Sequence, residues 1–160
     1  MNKRNYIKLF SDDEVRSIWL EEEKEWYYAI EDIIKLYGER PYDIYYINLK
    51  KRLRKQGYYL EKNCIIRKLL NTEKKWKNTR LIDTQTAFRL LEEIASKKLK
   101  KYKDWMAKIA TERLEEIGDP EKIIQRAKKL YEEKGYPKEW EKEKIRELKE
   151  IITDKELKIK

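Results

Sequence analysis

Not one histidine occurs among the 160 residues, and cysteine occurs once, at Cys64. The first absence removes Ser-His and Cys-His nucleophilic catalysis, along with the side chain most often used for proton transfer near neutral pH. The two absences together leave no Cys/His zinc site. Cys64, inside the apolar run Cys64-Ile65-Ile66, reads as a small buried side chain. No run of 18 apolar residues is present, so no membrane-spanning helix is expected. The opening Met1-Asn2-Lys3-Arg4-Asn5 leads into polar sequence without an apolar signal-peptide core, which places the expected location in the cytoplasm. There is neither an internal repeat nor a linker rich in Gly, Pro or Ser.

What the chain has in quantity is charge, at 44% of residues, beside 40% apolar and 12% aromatic residues. That apolar share supports one ordinary core, so the charge describes a wet surface rather than disorder. Its distribution is uneven. Residues 40–82 hold thirteen Lys and Arg against three Asp and Glu, a net of +10, while the rest of the chain is close to neutral at −1. A mixed Lys/Glu surface predicts interspersed signs, which fits residues 119–160 and not 40–82. A smaller excess, Lys97, Lys98, Lys100, Lys101, Lys103 and Lys108 against Asp104, would complete a single footprint if the two segments meet in space. Phosphate backbones are the commonest polyanions such a footprint serves, because neutralising each phosphate releases condensed counterions. An acidic protein or anionic lipid is the remaining possibility on charge alone.

The four glycines and three prolines punctuate the sequence: Gly38 precedes Pro41, Gly118 precedes Pro120 and Gly135 precedes Pro137, as expected where Gly supplies a left-handed helix stop. Gly57 ends a further helical stretch. In Gly118-Asp119-Pro120-Glu121, Asp119 is placed to cap and a helix is expected from 120. Period-two alternation around Val15 to Leu20, the acidic run Glu21 to Glu25 and then Trp26-Tyr27-Tyr28 predict a hairpin, with a further short strand at 6–10. Residues 29–37 and 42–56 read as helices, the second with Ile44, Ile47 and Leu53 as its apolar stripe. Strands are expected at 64–70 and 75–82, joined by Asn71-Thr72-Glu73-Lys74, and everything from 84 onward reads as helix. The expectation is an α+β fold: a small N-terminal hairpin or mixed sheet with helices over 1–95, then a helical extension over 96–160. The apolar positions beyond Gly135 are expected to dock on the preceding helix or on another copy of the chain.

The helix end Leu49-Lys50-Lys51-Arg52-Leu53-Arg54-Lys55-Gln56-Gly57 crowds five cations, more than a favourable helix C-terminus accounts for. The hairpin carries Arg67, Lys68, Lys75, Lys77 and Arg80, and on its second strand Trp76, Asn78 and Arg80 would share one face, suited to a groove. Core is the commoner fate for Trp76. Tyr42, Tyr45, Tyr46, Tyr58 and Tyr59 suit core edges better than base stacking. Asp83, before Thr84, reads as an N-cap, with no second carboxylate and lysine spaced for a metal-dependent nuclease. The candidate DNA-binding set is therefore Lys50, Lys51, Arg52, Arg54, Lys55, Arg67, Lys68, Lys75, Lys77, Asn78 and Arg80 with Lys97, Lys98, Lys100 and Lys101. No catalytic or metal residue and no cofactor is expected.

Ile7-Lys8-Leu9-Phe10, Val15-Arg16 and Glu25-Trp26-Tyr27-Tyr28 followed by Glu31-Asp32-Ile33 resemble the BRO family N-terminal domain, closest to the DNA-damage-inducible protein D branch. The resemblance runs on through Leu49 to Leu53, Asn63-Cys64, Asp83-Thr84, Phe88 to Leu91, Lys103 to Lys108, Glu112-Arg113, Asp119-Pro120-Glu121 and Lys134-Gly135-Tyr136. It implies a DNA-binding module of phage and prophage antirepressors and SOS-linked proteins, without cofactor or established catalytic residues. Lys77 to Arg80 is more basic than the resemblance leads one to expect. The resulting expectation is a duplex-DNA-binding regulator, not an enzyme, capable of forming a homodimer. The alternative is a protein-interaction module that antagonises a DNA-bound protein through its C-terminal helices.

Overall fold

The computed structural model describes residues 8–38 and 40–154. The chain is α+β and divides into two compact units, one through Lys101 and the other from Tyr102.

The first unit is built on four antiparallel strands: β1 (Ser17–Leu20), β2 (Glu25–Ala29), β3 (Cys64–Leu70) and β4 (Trp76–Ile82), in the order β1-β2-β4-β3. Every strand pair among the described residues is antiparallel, so of the expected hairpin or mixed sheet the structure has two hairpins, β1–β2 and β3–β4, joined edge to edge. The expected strand at 6–10 is not formed over residues 8–10; residues 6 and 7 lie outside the described residues. β2 runs directly into helix α1 (Ile30–Tyr37), which is followed by α2 (Tyr42–Lys55), a 3-10 turn at Leu60–Asn63, α3 (Thr84–Glu93) and a 3-10 turn at Lys97–Leu99. Tyr28, Ile33, Leu49, Leu53, Leu81, Ile82, Leu90 and Leu99 are fully buried and form the core.

Strand pairing sets up an uneven sheet. β2 meets β4 only through Tyr28↔Ile82 and Ala29↔Leu81, whereas β3 and β4 pair along their whole length, from Cys64↔Ile82 to Leu70↔Trp76. At about 3.3 Å per residue, the stretch from Leu81 to Trp76 runs about 17 Å beyond the junction as a two-stranded ribbon. Its tip is closed by Asn71, whose Oδ1 accepts the backbone N–H groups of Glu73 (3.0 Å) and Lys75 (2.9 Å). Arg16 ties the tip end of the ribbon to the rest. Its backbone N–H and Nε donate to Asp32 Oδ2, each at 2.8 Å, and its Nη1 donates to the Leu70 carbonyl at 3.0 Å.

Two sequence expectations on glycine separate here. Gly57 (φ 81°) and Gly135 (φ 69°) are left-handed stops. Gly38 is not, at φ −73°. It is required for a different reason: a Cβ there would sit 2.5 Å from the Ile34 carbonyl oxygen. Asp83 caps α3 as expected, its Oδ1 accepting from the Thr86 N–H at 2.8 Å.

The second unit is three helices, α4 (Lys100–Gly118, whose first two residues close the first unit), α5 (Glu121–Glu133) and α6 (Lys138–Asp154). Asp119 Oδ1 accepts the Glu121 N–H at 3.3 Å, opening α5 at the expected place. Arg126 on α5 donates to the Glu112 carbonyl and the Glu116 carboxylate of α4 at 2.8 and 3.0 Å. α6 docks along α5: Ile124 and Ile145 are buried, and Trp140 meets the Tyr131 ring edge-on at 5.0 Å. Among the described residues, no helix is long and apolar enough to cross a membrane.

Candidate nucleic-acid interface

Helix α2 buries Tyr46, Leu49 and Leu53, spaced three and four apart, and this stripe fixes what the rest of the helix presents. The expected apolar stripe is correct at Leu53 and wrong at Ile44 and Ile47, which are 56% and 49% exposed. Opposite the buried stripe stand Ile44, Ile47, Lys51 and Lys55. On one flank lie Lys50 and Arg54, both held by Glu61 (3.4 and 3.0 Å). On the other lies Arg52, whose Nη2 donates to the Glu93 carbonyl at 3.0 Å. The five expected cations therefore form three classes, and Lys51 and Lys55 are exposed with neither a carboxylate nor a carbonyl partner among the described residues. The Glu61 carboxyl lies below its usual range, lowered first by a hydrogen bond to its own backbone and then by Lys50 and Arg54.

Tyrosine rings line the junction of α2 and the ribbon. Lys50 Nζ stands 5.0 Å and the Arg80 guanidinium 5.4 Å from the Tyr46 ring centre, and Tyr42 stacks on Tyr46 at 5.6 Å. Burial pushes the Tyr42 phenol up to about 12, so the ring remains neutral at physiological pH. Tyr59 is similarly placed between Arg54 and Lys62, at 5.8 and 4.8 Å. Each ring holds a cation by its π face without cancelling its charge. The Tyr46 hydroxyl is buried without a hydrogen-bond partner.

Cations on the ribbon divide between its two faces, because successive residues alternate. Lys68, Asn78 and Arg80 share one face with Ile66, Leu70 and Trp76. That face is open: Trp76 is 66% and Ile66 56% exposed, so the expectation of Trp76 in the core is overturned. Arg67 and Lys77 lie on the opposite face. Arg67 lines a cleft with Glu21, Glu22, Glu23 and Tyr27. Lys77 borders a cleft of about 600 Å³ that holds Asp12, Asp13, Glu14, Glu31, Asp32 and Glu73. Six carboxylates against Arg16, Lys35 and Lys77 make that side acidic. Lys75, at the tip, pairs with Glu73 at 3.3 Å.

Lys97, Lys98, Lys100 and Lys101 are exposed and belong to the first unit. Lys98 Nζ donates to the Leu36 carbonyl at 3.5 Å, beside the turn into α2. Cys64 is half-buried, not enclosed; its Sγ donates to the Leu60 carbonyl at 3.0 Å, and burial pushes the thiol up to about 11. No group of three or more Cys, Asp or Glu placed to hold a metal occurs among the described residues.

No family model matches the chain, and neither a curated protein nor a solved structure does.

Proposed function

We propose that the protein is a duplex-DNA-binding regulator of the phage or prophage antirepressor type, cytoplasmic, and acting by binding rather than catalysis. The observation that carries this reading is the set of exposed cations of the first unit: Lys51 and Lys55 on the outer face of α2, and Lys68 and Arg80, with Asn78 between them in the β3–β4 register, on one face of the ribbon. A two-stranded ribbon is one of the shapes a major groove admits, and Arg and Asn are the side chains that read guanine and adenine edges there. Phosphate holding then falls to Lys51, Lys55 and Lys68, and base contact to Asn78 and Arg80. The resemblance to the BRO N-terminal domain supports the same reading, and a homodimer would double the phosphate contacts. A salt series on labelled duplex tests it: a log–log slope of roughly −4 to −8 is expected, and no binding at about 50 mM salt would refute it.

One feature favours a second reading, a protein-interaction module that antagonises a DNA-bound protein. Ile66, Leu70 and Trp76 form an exposed apolar row on the ribbon, and Ile44 and Ile47 another on α2. Under that reading Trp76→Ala abolishes partner capture; under the DNA reading, charge reversal at Lys51 and Lys55 is the more damaging change.

A further inference from the structure

We propose that the cleft between α2 and the segment after α3 is a binding site for one phosphate group. Arg40, Tyr45, Asn48, Arg52 and Ala95 line this cleft, which has a volume of about 220 Å³. Tyr45, Asn48 and Arg52 stand at positions i, i+3 and i+7 of α2 and so form a single stripe down its flank, away from the ribbon. Arg40 enters from the turn that precedes the helix.

Three observations make this an anion site rather than an ordinary surface hollow. First, no carboxylate lines it among the described residues, whereas the clefts beside Lys77, Arg67 and Arg89 all contain Asp or Glu. Second, Arg52 is anchored by one hydrogen bond to the Glu93 carbonyl, while the Glu93 carboxylate is turned away to Arg89 at 3.1 Å. The guanidinium is thus oriented without being neutralised, and among the described residues its remaining N–H groups have no acceptor. Third, Arg40 and Arg52 have no ion-pair partner among the described residues, and Lys97 and Lys98 follow Ala95 closely in the chain. Two guanidinium forks with a side-chain amide and a phenol supply planar, charge-assisted donors of the kind that suits a tetrahedral oxyanion.

Assigning the phosphate to nucleic acid rests on the DNA reading above; the site itself does not. The test therefore uses two probes on the full chain. Inorganic phosphate at about 10 mM, with chloride at matched ionic strength as control, is expected to shift the side-chain NMR signals of Asn48 and Arg52 in the wild type and to leave that of Arg52 unshifted in Asn48→Asp. Asn48 is exposed, and circular dichroism of Asn48→Asp and of Arg40→Gln establishes that each folds. Duplex affinity is then expected to fall about tenfold in Asn48→Asp, with a salt slope smaller by about one. The same duplex with 5′-phosphate and 5′-hydroxyl ends separates the sources: equal affinity assigns a backbone phosphodiester, and a preference for the phosphorylated end assigns a terminal monoester. Phosphate-induced shifts in a protein that binds no duplex would uphold the site and overturn the DNA reading. Duplex binding that neither variant weakens, with no response to phosphate, would overturn the site and leave the DNA reading standing.

Discussion

The two units differ in how their charge is balanced. From Tyr102 on, sixteen Lys and Arg meet fifteen Asp and Glu; through Lys101 the numbers are twenty-four and sixteen. In the helical unit the cations are answered locally, Lys108 by Glu112, Lys144 by Glu147, and Arg126 by Glu115 and Glu116. Arg126 holds the Glu115 carboxyl below its usual value, and all of this is i,i+3, i,i+4 or helix-to-helix pairing. In the first unit the answer is partial: Glu61 takes Lys50 and Arg54, and among the described residues no carboxylate takes Lys51 or Lys55. The charge is thus nearly balanced and locally paired in one unit and an excess of cations, only partly paired, in the other, so the difference lies in both composition and pairing.

That contrast can be pressed at several points. At the level of packing, Leu53→Ala should cost about 2–5 kcal/mol in denaturant unfolding, since the side chain is fully buried. Leu114→Ala, on the exposed side of α4, should stay within about 0.5 kcal/mol. At the level of charge, Lys51→Glu/Lys55→Glu should weaken duplex binding by about two orders of magnitude, while Lys142→Glu/Arg146→Glu in α6 changes it less than about twofold. Equal losses from the two pairs would erase the distinction between the units. Removing the α3 cap with Asp83→Ala should lower stability by about 1 kcal/mol, read as a fall in melting temperature. The smallest effect concerns Glu61. Glu61→Gln should raise duplex affinity about threefold by releasing Lys50 and Arg54. Because its folded carboxyl titrates below the unfolded one, the Glu61 contribution to stability is present above the ordinary carboxyl range and is lost as pH falls through its folded value.

Much of the architecture is legible in the sequence because its signals are local. Asp83 before Thr84, Gly57 after the cation run and Asn71-Thr72 between apolar segments each act within a few residues, and each sits where expected. What escapes is anything decided by the far side of a packing contact. α2 offers two stripes at helical spacing, Ile44-Ile47-Lys51 and Tyr46-Leu49-Leu53. Hydropathy favours the isoleucines, but the core takes the second stripe, whose three apolar members continue over the full two turns. Trp76 escapes for the same reason: strand alternation fixes its companions, and only the short β2–β4 junction leaves that end of the ribbon uncovered. Of the candidate site, the cation-bearing elements were legible; the loss of Lys50 and Arg54 to Glu61, and of Arg67 and Lys77 to acid-lined clefts, required the fold. The flank stripe Tyr45-Asn48-Arg52 carried a signal, polar residues at helical spacing, that a count of charges passes over.

Asn71 has a consequence for recognition. By taking two backbone N–H groups at the tip, it holds Glu73, Lys74 and Lys75 in one conformation, Lys74 at φ 59° included, without recourse to glycine. The ribbon is therefore preorganised. Whatever docks on its open face meets a template whose conformational entropy was surrendered during folding, so its contacts are not taxed by loop ordering at the moment of association.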